Sequence, residues 1–410
     1  MFGLPVNYWR LWGASAVSNL ADGVFFVVIP LLAVRLTDSP ILIAGLAIAA
    51  RLPWLLFVLV AGALADRLDR RTTMRNVQIF RAAMLVLLAA LALTDGLSLP
   101  ILYVSALALG VAETLFDTAA QSIMPSIVEK DQLATANGRL YGVELVMNQF
   151  VGPPLGGLVI GLSAPLALGG SAVGYALAAV GLTLIAGSFR PKRSGPPTRL
   201  TADIGEGLRY LWNHRLLRTL AIMVGVMNLA GTAMQAVLVL YAVAPGPMGL
   251  SEPGFGLLMT TFAAGSLVGS LIAARMQARF GRVRLLFACV VVSSVAFSVP
   301  AFTASAFVIG PAFVISGVFV VIWNVITVSL RQRIVPDHLL GRLNSAYRLF
   351  AWGTQPIGAL LGGLVGEFFG LRAVFLVAGV LGLTLVATRA IITEQAIAEA
   401  EAEGAAATAA

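Results

Sequence analysis

Twelve long apolar stretches, separated by short charged or turn-forming segments, occupy almost the whole of this 410-residue chain. Each is close to or longer than about 20 residues, the length with which an α-helix crosses the hydrocarbon core of a bilayer. No water-soluble core could absorb this surface, because 59% of the residues are hydrophobic and only 11% are charged. The sequence therefore predicts an all-α integral membrane protein with twelve transmembrane helices. We place them at 8–34, 40–65, 74–94, 99–121, 138–162, 165–189, 216–243, 252–277, 283–304, 306–330, 342–367 and 370–392.

Positive charge is distributed unevenly between the two membrane faces at which these helices end. Of the 27 lysines and arginines, we assign all but Arg35, Arg51 and Arg372 to helix ends at one face. Short loops rich in lysine and arginine remain in the cytoplasm. An even number of spans puts both termini on the same side, so we expect both termini to be cytoplasmic. The positive charge is thereby explained without a nucleic-acid partner.

The two halves of the chain resemble each other. QFVGPPLGGLV at 149–159 matches QPIGALLGGLV at 355–365 with an offset of 206 residues. This repeat predicts two pseudo-symmetric six-helix halves, residues 1–189 and 216–393. They are joined by a cytoplasmic linker, 190–215, that ends as an amphipathic helix. The tail, 394–410, is rich in alanine and glutamate without an apolar stripe, so we expect it to be disordered.

A charged segment, GALADRLDRR at Gly62–Arg71, joins the second and third helices. It resembles the loop signature of the major facilitator superfamily, with Asp69 where a glycine is usual. The resemblance implies two halves that rock around a central substrate cavity. It also implies that Asp66 pairs with the cytoplasmic end of helix 11 when the cavity faces outward. The residues expected to act with Asp66 at this gate are Arg70, Arg71, Arg342 and Arg348.

The fifth helix carries a run of glycines and prolines that resembles the helix-5 signature of proton-coupled drug antiporters in that superfamily. Its members are Gly152, Pro153, Pro154, Gly156 and Gly157. Prolines remove backbone donors and bend a helix, while glycines permit close helix packing. Residues 116–140, FDTAAQSIMPSIVEKDQLATANGRL, are similar to the branch that contains the enterobactin exporter and macrolide efflux proteins.

Two opposite charges lie at similar depth in the first two helices. A charge at a helix centre costs roughly 2.5 to 3.5 kcal/mol even on the mild insertion scale. We therefore predict an ion pair between Asp22 and Arg51. The pair has two interpretations: it locks helix 1 to helix 2, or a proton or substrate competes for Asp22.

Helix 4 carries Glu113 and Asp117, four residues apart and so on one helix face. Two ionised carboxylates on one face repel, and burial also favours the neutral form. Glu113 and Asp117, with Asp22, are therefore the candidates for carrying a proton. Glu144 on helix 5, with Arg139 one turn away, has an alternative interpretation as part of a cytoplasmic gate of salt bridges, and Asp117 shares that alternative.

Neutral polar and aromatic side chains provide the expected contacts for a large amphiphilic ligand, since apolar pockets with few polar anchors suit such ligands. The candidates for the substrate cavity are Asn19, Asn228, Gln235, Trp323, Asn324, Trp352 and Gln355.

These features together predict a monomeric exporter of the bacterial inner membrane. It would expel a hydrophobic or amphiphilic small molecule, such as a drug, macrolide or siderophore, in exchange for protons. We expect the proton gradient as the energy source, no cofactor, no metal and no enzymatic activity. Two alternatives remain: a proton-coupled uptake symporter, and a membrane scaffold or sensor that transports nothing.

Overall fold

The computed structural model describes residues 3–65, 68–129, 132–187, 189 and 200–409, which form fifteen α-helices. The first seven are α1 (Val6–Val34), α2 (Pro40–Ala65), α3 (Arg70–Leu93), α4 (Leu99–Ile123), α5 (Leu133–Leu145), α6 (Gly152–Leu162) and α7 (Ala164–Thr183). The others are α8 (Leu200–Asn213), α9 (Arg215–Ala242), α10 (Glu252–Phe280), α11 (Arg282–Phe302), α12 (Ala306–Ile334), α13 (Asp337–Phe369), α14 (Leu371–Thr384) and α15 (Glu394–Ala409).

The predicted all-α membrane fold is confirmed. Twelve spans among the described residues are long and apolar enough to cross a membrane, as many as the sequence predicts. Only helices and closed barrels satisfy every backbone group inside lipid, so long apolar runs without strand periodicity become helices. The fifth span, Thr135–Leu162, consists of α5, a π-helical turn at Val146–Val151, and α6.

The π-helical turn is explained by the two prolines that follow it. Pro153 and Pro154 have no N–H group, so the carbonyls four residues earlier lose their usual donors. The backbone widens over Val146–Val151 and then returns to an α-helix at Gly152. The predicted bend in this helix is therefore a local π-helical segment.

By packing, the chain divides into two compact units. Unit 1 comprises Met1–Asp38, Gly45–Gly195 and Ala242–Thr260, and unit 2 comprises Ser39–Ala44, Pro196–Tyr241 and Thr261–Ala410. Each unit thus contains one short segment, 39–44 or 242–260, from outside the sequence half that we predicted. The core of unit 1 includes the fully buried Tyr8, Leu11, Met74, Ile123 and Leu182.

Two elements of unit 2 lie outside the spans. α8 is the helix predicted at the end of the linker, and its Glu206 forms an ion pair of 2.5 Å with Arg342 of α13. The prediction of a disordered tail was wrong, because α15 is a helix whose Ile397 is fully buried in the core of unit 2. Its charged residues face partners on neighbouring helices: Glu401 pairs with Arg282 at 2.5 Å.

Candidate functional site

A buried ion pair joins α1 to α3 in unit 1. Arg81 Nη1 lies 3.1 Å from Asp22 Oδ1, and the Arg81 side chain is only 3% exposed. Tyr175 of α7 donates its hydroxyl to the same Asp22 oxygen at 2.6 Å, and its ring centroid lies 5.2 Å from the guanidinium carbon. The predicted partner of Asp22, Arg51, was therefore wrong: Asp22 pairs with Arg81.

The position at which α3 begins explains why the sequence analysis did not identify Arg81 as the partner of Asp22. We predicted helix 3 from residue 74 and so placed Arg81 near a helix end. In the structure α3 begins at Arg70, capped by the Asp69 carboxylate, which accepts from the Thr72 N–H at 2.9 Å. Arg81 then lies about 16 Å into the helix at 1.5 Å per residue. A cap-forming aspartate before an arginine-rich turn is the signal that would have corrected the start.

A second polar contact runs beside the ion pair. Gln78 Nε2 donates to Ser18 Oγ at 2.7 Å, one turn away from Arg81 on α3 and from Asp22 on α1. Among the described residues, Gln78 Oε1 and Arg81 Nε are buried and find no hydrogen-bond partner. Buried polar atoms normally have partners, so this region holds unused hydrogen-bonding capacity beside the ion pair.

Glu113 and Asp117 lie on the part of α4 that packs beside that pair. The Arg81 guanidinium carbon lies 5.7 Å from the ring centroid of Phe116, the residue before Asp117. Among the described residues, neither acid forms an ion pair within 4.0 Å. We call Asp22, Arg81, Glu113, Asp117 and Tyr175 the Arg81 cluster. It contains three acids and one arginine, so it carries excess negative charge whenever all three acids are ionised.

Arg51 lies near this cluster, on α2, and is exposed. α2 and α4 approach closely here, since a Cβ added at Gly110 would lie 2.7 Å from the Ala50 carbonyl oxygen. The glycine therefore brings the Arg51 segment of α2 against the α4 turn that precedes Glu113.

Glu144 and Arg139 do not form the predicted gate contact. Glu144 is exposed on α5, and among the described residues it has no ion pair. The Arg139 guanidinium lies 5.7 Å from the ring centroid of Trp9, and its carbonyl accepts from Trp12 Nε1 at 3.3 Å. Arg139 thus fastens α5 to α1 through aromatic residues, which sequence depth alone does not reveal.

The helix-5 motif packs directly beside Asp22. Gly152 of α6 meets the backbone of Gly23, the residue that follows Asp22, with no room for a side chain on either residue. One turn later, Gly156 faces the Val24 carbonyl oxygen, 2.8 Å from where its Cβ would lie. Gly157 points to another helix and contacts the Glu252 backbone of α10. The motif therefore connects α1, at the Arg81 cluster, to the start of α10.

The charged loop before α3 is fastened to the chain that follows α7. Asp69 Oδ2 accepts from the Phe189 N–H at 2.8 Å, and Arg71 Nη1 donates to the Ile185 carbonyl at 2.6 Å. Burial opposes ionisation of Asp69, but the N–H groups of Thr72 and Phe189 outweigh it and lower the pKa of this carboxyl. Arg70 also faces this segment, since its backbone N–H donates to the Phe189 carbonyl. Asp66, the predicted gate residue, lies outside the described residues.

In unit 2 the two arginines proposed as partners of Asp66 have other neighbours. Arg342 pairs with Glu206, and the Arg348 guanidinium lies 5.4 Å from the Trp352 ring centroid. Trp323 is only 7% exposed and belongs to the core of unit 2, so it packs against protein. Asn228 Nδ2 donates to the Ala351 carbonyl of α13 at 2.8 Å, which joins α9 to α13.

The remaining cavity candidates keep their side chains accessible or bonded within their own helix. Asn19 donates to the Ser15 carbonyl and Asn324 to the Val320 carbonyl, each four residues earlier. Gln235 is exposed, and Gln355 is partly exposed. Their role as substrate contacts stays a prediction.

Sequence reasoning also missed an ion pair beyond the end of α1. Arg35 donates from Nε and Nη2 to Glu252 Oε1, at 3.1 and 2.6 Å, and Nη2 also donates to the Ile160 carbonyl. Glu252 is the first residue of α10, whose backbone contacts Gly157. The sequence signal for this ion pair was that Arg35 is one of the few positive residues assigned to the non-cytoplasmic membrane face.

Comparison with known proteins gives one family match and several long, distant similarities. Residues 6–409 match the model of the transmembrane secretion effector family, designated MFS_3. The chain is 28% identical over 385 residues to the multidrug efflux pump Tap of Mycolicibacterium fortuitum, covering 88% of this chain and 90% of that protein. It is 29% identical over 381 residues to Tap of Mycobacterium tuberculosis H37Rv, covering 88% of each.

Solved structures share the fold. The nucleoside transporter NupG superposes with a TM-score of 0.75 at 12% identity, covering 94% of this chain and 99% of that chain. A bacterial homologue of the iron transporter ferroportin in its inward-facing state superposes with a TM-score of 0.70 at 17% identity, covering 92% and 98%. At these identities the similarity concerns the fold alone.

Proposed function

The chain belongs to the transmembrane secretion effector family of the major facilitator superfamily, and we propose that it exports hydrophobic or amphiphilic small molecules in exchange for protons. The superfamily predicted from the charged loop and the helix-5 motif is thereby confirmed. Two relatives are named multidrug efflux pump Tap, which supports export of drug-like compounds. We place it in the bacterial inner membrane with both termini cytoplasmic, on the evidence of its positive loop charges.

The observation that carries the proton exchange is the composition of the Arg81 cluster. Asp22 alone is sufficient to neutralise Arg81, so Glu113 and Asp117 are surplus to structural charge balance. Each ionised acid inside the membrane costs roughly 2.5 to 3.5 kcal/mol on the mild insertion scale, whereas the protonated form avoids most of that cost. Two surplus acids beside a fixed ion pair therefore favour a site that takes up and releases protons.

Arg81 links protonation to helix packing in this proposal. Arg81 Nη1 donates to Asp22, while Nε has no hydrogen-bond partner in the described part of the chain and can donate to a second carboxylate. When Glu113 or Asp117 loses its proton, the new negative charge attracts the guanidinium away from Asp22. When that acid is protonated again, Arg81 returns to Asp22.

The helix-5 motif transmits this change beyond the cluster. Asp22 lies next to Gly23, which is in backbone contact with Gly152 of α6. Interlocked glycines leave little freedom for α1 to move alone, because packed backbones have no side chains that can adjust. A shift of α1 therefore moves α6, and the alternating-access cycle uses that shift to expose the site to each side in turn.

A transport assay in inside-out vesicles tests the proposal. The vesicles are energised to be acidic inside, contain a pH-sensitive dye, and receive macrolides, tetracyclines, cationic dyes or siderophores one at a time. A transported compound releases part of the proton gradient in wild type. We expect the release to be lost in Glu113→Gln or Asp117→Asn and retained in Asp95→Asn, an exposed acid in the turn after α3.

The same vesicles separate the two alternatives. Vesicles preloaded with a compound would lose the compound together with protons if the protein were an uptake symporter, because uptake into the cell corresponds to exit from an inside-out vesicle. A folded protein that leaves the gradient unchanged with every compound would contradict proton-coupled export of these classes and favour a scaffold or sensor.

A further inference from the structure

An open groove of about 710 Å³ runs between α3 and α4 in unit 1. This volume lies within the range of known small-molecule sites, roughly 300 to 1,000 Å³. Thr72, Thr73 and Asn76 form its polar end, at the start of α3. Farther along, its wall is apolar and includes the 44% exposed Phe80 and the small residue Ala108 of α4. We call this feature the α3–α4 groove.

The groove has the length of one membrane leaflet. Its lining begins at Leu68, next to the charged loop, and reaches Phe80 on α3. Because α3 begins at Arg70, the interval contains about 15 Å of helix at 1.5 Å per residue. Half of a hydrocarbon core of about 30 Å is also about 15 Å. The groove is therefore about as long as one leaflet, and a lipid of the adjacent leaflet can lie along it with its headgroup at the polar end.

The segment at the polar end, residues 68–76, has a positive charge balance, because it contains three arginines, Arg70, Arg71 and Arg75, against one acid, Asp69, which lines the groove. Arg75 donates from Nε and Nη2 to Asn76 Oδ1, at 3.2 and 3.0 Å, so it lies at the rim of the groove. Within the described part of the chain, no carboxylate lies within ion-pair distance of Arg75. The nearby Asp69 carboxylate is already occupied by the Thr72 and Phe189 N–H groups. Basic clusters beside a transmembrane helix attract anionic lipid headgroups.

We propose that the α3–α4 groove binds an anionic phospholipid of the leaflet next to the charged loop. Its acyl chain lies between Phe80 and Ala108, and its phosphate lies at Arg75. Ala112, on the groove wall, directly precedes Glu113, so the bound lipid fixes the α3–α4 pair that carries the Arg81 cluster. This site does not rest on the proposed export function.

Native mass spectrometry of the purified protein with equimolar phosphatidylglycerol and phosphatidylcholine tests the site. We expect wild type to retain phosphatidylglycerol about fivefold better, the factor for one arginine near a membrane surface. Arg75→Gln should abolish this preference, whereas Arg279→Gln, at an exposed arginine on α10, should keep it. Ala108→Phe should fill the groove and lose the bound lipid. Val104→Phe, on an exposed part of the same helix outside the groove, is the matched control.

Two outcomes would overturn the site. One is equal retention of both lipids by wild type, which would indicate ordinary lipid around the protein. The other is unchanged retention of phosphatidylglycerol in a folded Ala108→Phe variant. Thermal unfolding identifies folded variants, and Val111→Phe, on the same groove wall, replaces Ala108→Phe should that variant fail to fold.

Discussion

Arg81 and Asp22 form an ion pair of 3.1 Å in which the arginine is almost completely buried and the aspartate keeps a fifth of its side chain exposed. The Asp22 oxygen that binds Arg81 also accepts the Tyr175 hydroxyl, so α1, α3 and α7 meet at a single atom. A change in the charge of this atom is felt by three helices at once.

The ion pair should behave as a coupled unit in stability measurements. Removing one member of a buried pair leaves an uncompensated charge and costs about 3 to 5 kcal/mol. Because Asp22 is partly accessible, we expect Arg81→Gln and Asp22→Asn each to cost about 3 kcal/mol of unfolding free energy in detergent micelles. The double variant should cost much less than the sum of the two. Arg75→Gln, outside the cluster, should stay within about 0.5 kcal/mol of wild type. Additive losses in the double variant would contradict the pairing.

The membrane-spanning helices could be predicted from the sequence, whereas the contacts of the candidate site could not. Lipid forces apolar runs of this length to be helical, so Val6–Val34 or Ala306–Ile334 needed only length and composition. Depth along a helix also follows from counting residues. Counting residues does not show which helices are neighbours. The choice of Arg81 over Arg51 as the partner of Asp22 therefore required the structure, in which α3 packs against α1.

The C-terminal tail, α15, shows a different limit of prediction from sequence. An Ala/Glu-rich segment has no apolar stripe, and local composition therefore predicts disorder. Its helix is stabilised by partners distant in sequence: Arg282 for Glu401, the Val283 N–H for Glu394, and the core of unit 2 for Ile397. No window of the tail alone contains that information.

The two units fasten their charged loops in a similar way. In unit 1 the loop before α3 binds the segment after α7, through Asp69 and the Phe189 N–H. In unit 2 the start of α11 binds the segment after α14, through Glu394 and the Val283 N–H. In each case a carboxylate accepts a hydrogen bond from a backbone N–H of the facing segment. The carboxylate belongs to the loop in unit 1 and to the tail in unit 2. The repeat seen in the sequence thus extends to these contacts.

Asp69 should stabilise the protein in a pH-dependent way. Its folded-state pKa is lowered, so its contribution is present above the unfolded value of about 3.9 and is lost as pH falls through the folded value. Asp69→Asn keeps a helix cap but removes the charge that binds the Phe189 N–H. Because Asp69 is partly exposed and solvent screens its charge, we expect a loss of about 0.5 kcal/mol near pH 7 that shrinks toward about pH 3. Asp95→Asn, at an exposed acid, should show no such trend. An Asp69→Asn loss that is equal at both pH values would contradict this role.

The tail helix should protect the start of α11. Glu401 lies 2.5 Å from Arg282 and 3.7 Å from Arg333, with about a fifth of its side chain exposed. Partly exposed pairs contribute up to about 1 kcal/mol. We expect Glu401→Gln to speed hydrogen exchange at the amides of residues 282–285, without changing exchange in unit 1. Glu399→Gln is the matched control, because within the described residues the exposed Glu399 accepts a hydrogen bond only from Gln395 on its own helix. Equal effects of the two substitutions would show that the pair with Arg282 contributes nothing.

Gly157 should be far less tolerant of a methyl group than its neighbour Gly161. A Cβ at Gly157 would overlap the Glu252 carbonyl oxygen, whose backbone cannot yield without moving the start of α10. A Cβ at Gly161 would meet only the Glu252 side-chain oxygen and the Pro253 ring, both at 3.4 Å. Overpacking at a rigid contact costs about 1 to 3 kcal/mol, so Gly157→Ala should lower the unfolding free energy by that amount. Gly157→Ala should also separate Arg35 from Glu252. An Arg35→Ala substitution tests this: it should destabilise the wild-type protein but have little further effect in the Gly157→Ala variant. Gly161→Ala should not lower the unfolding free energy, because alanine favours the helical conformation more than glycine does, and it should leave the effect of Arg35→Ala unchanged. Equal tolerance at the two positions would mean that α10 can withdraw from α6 at no cost and that the contact does not hold this end of unit 1 together.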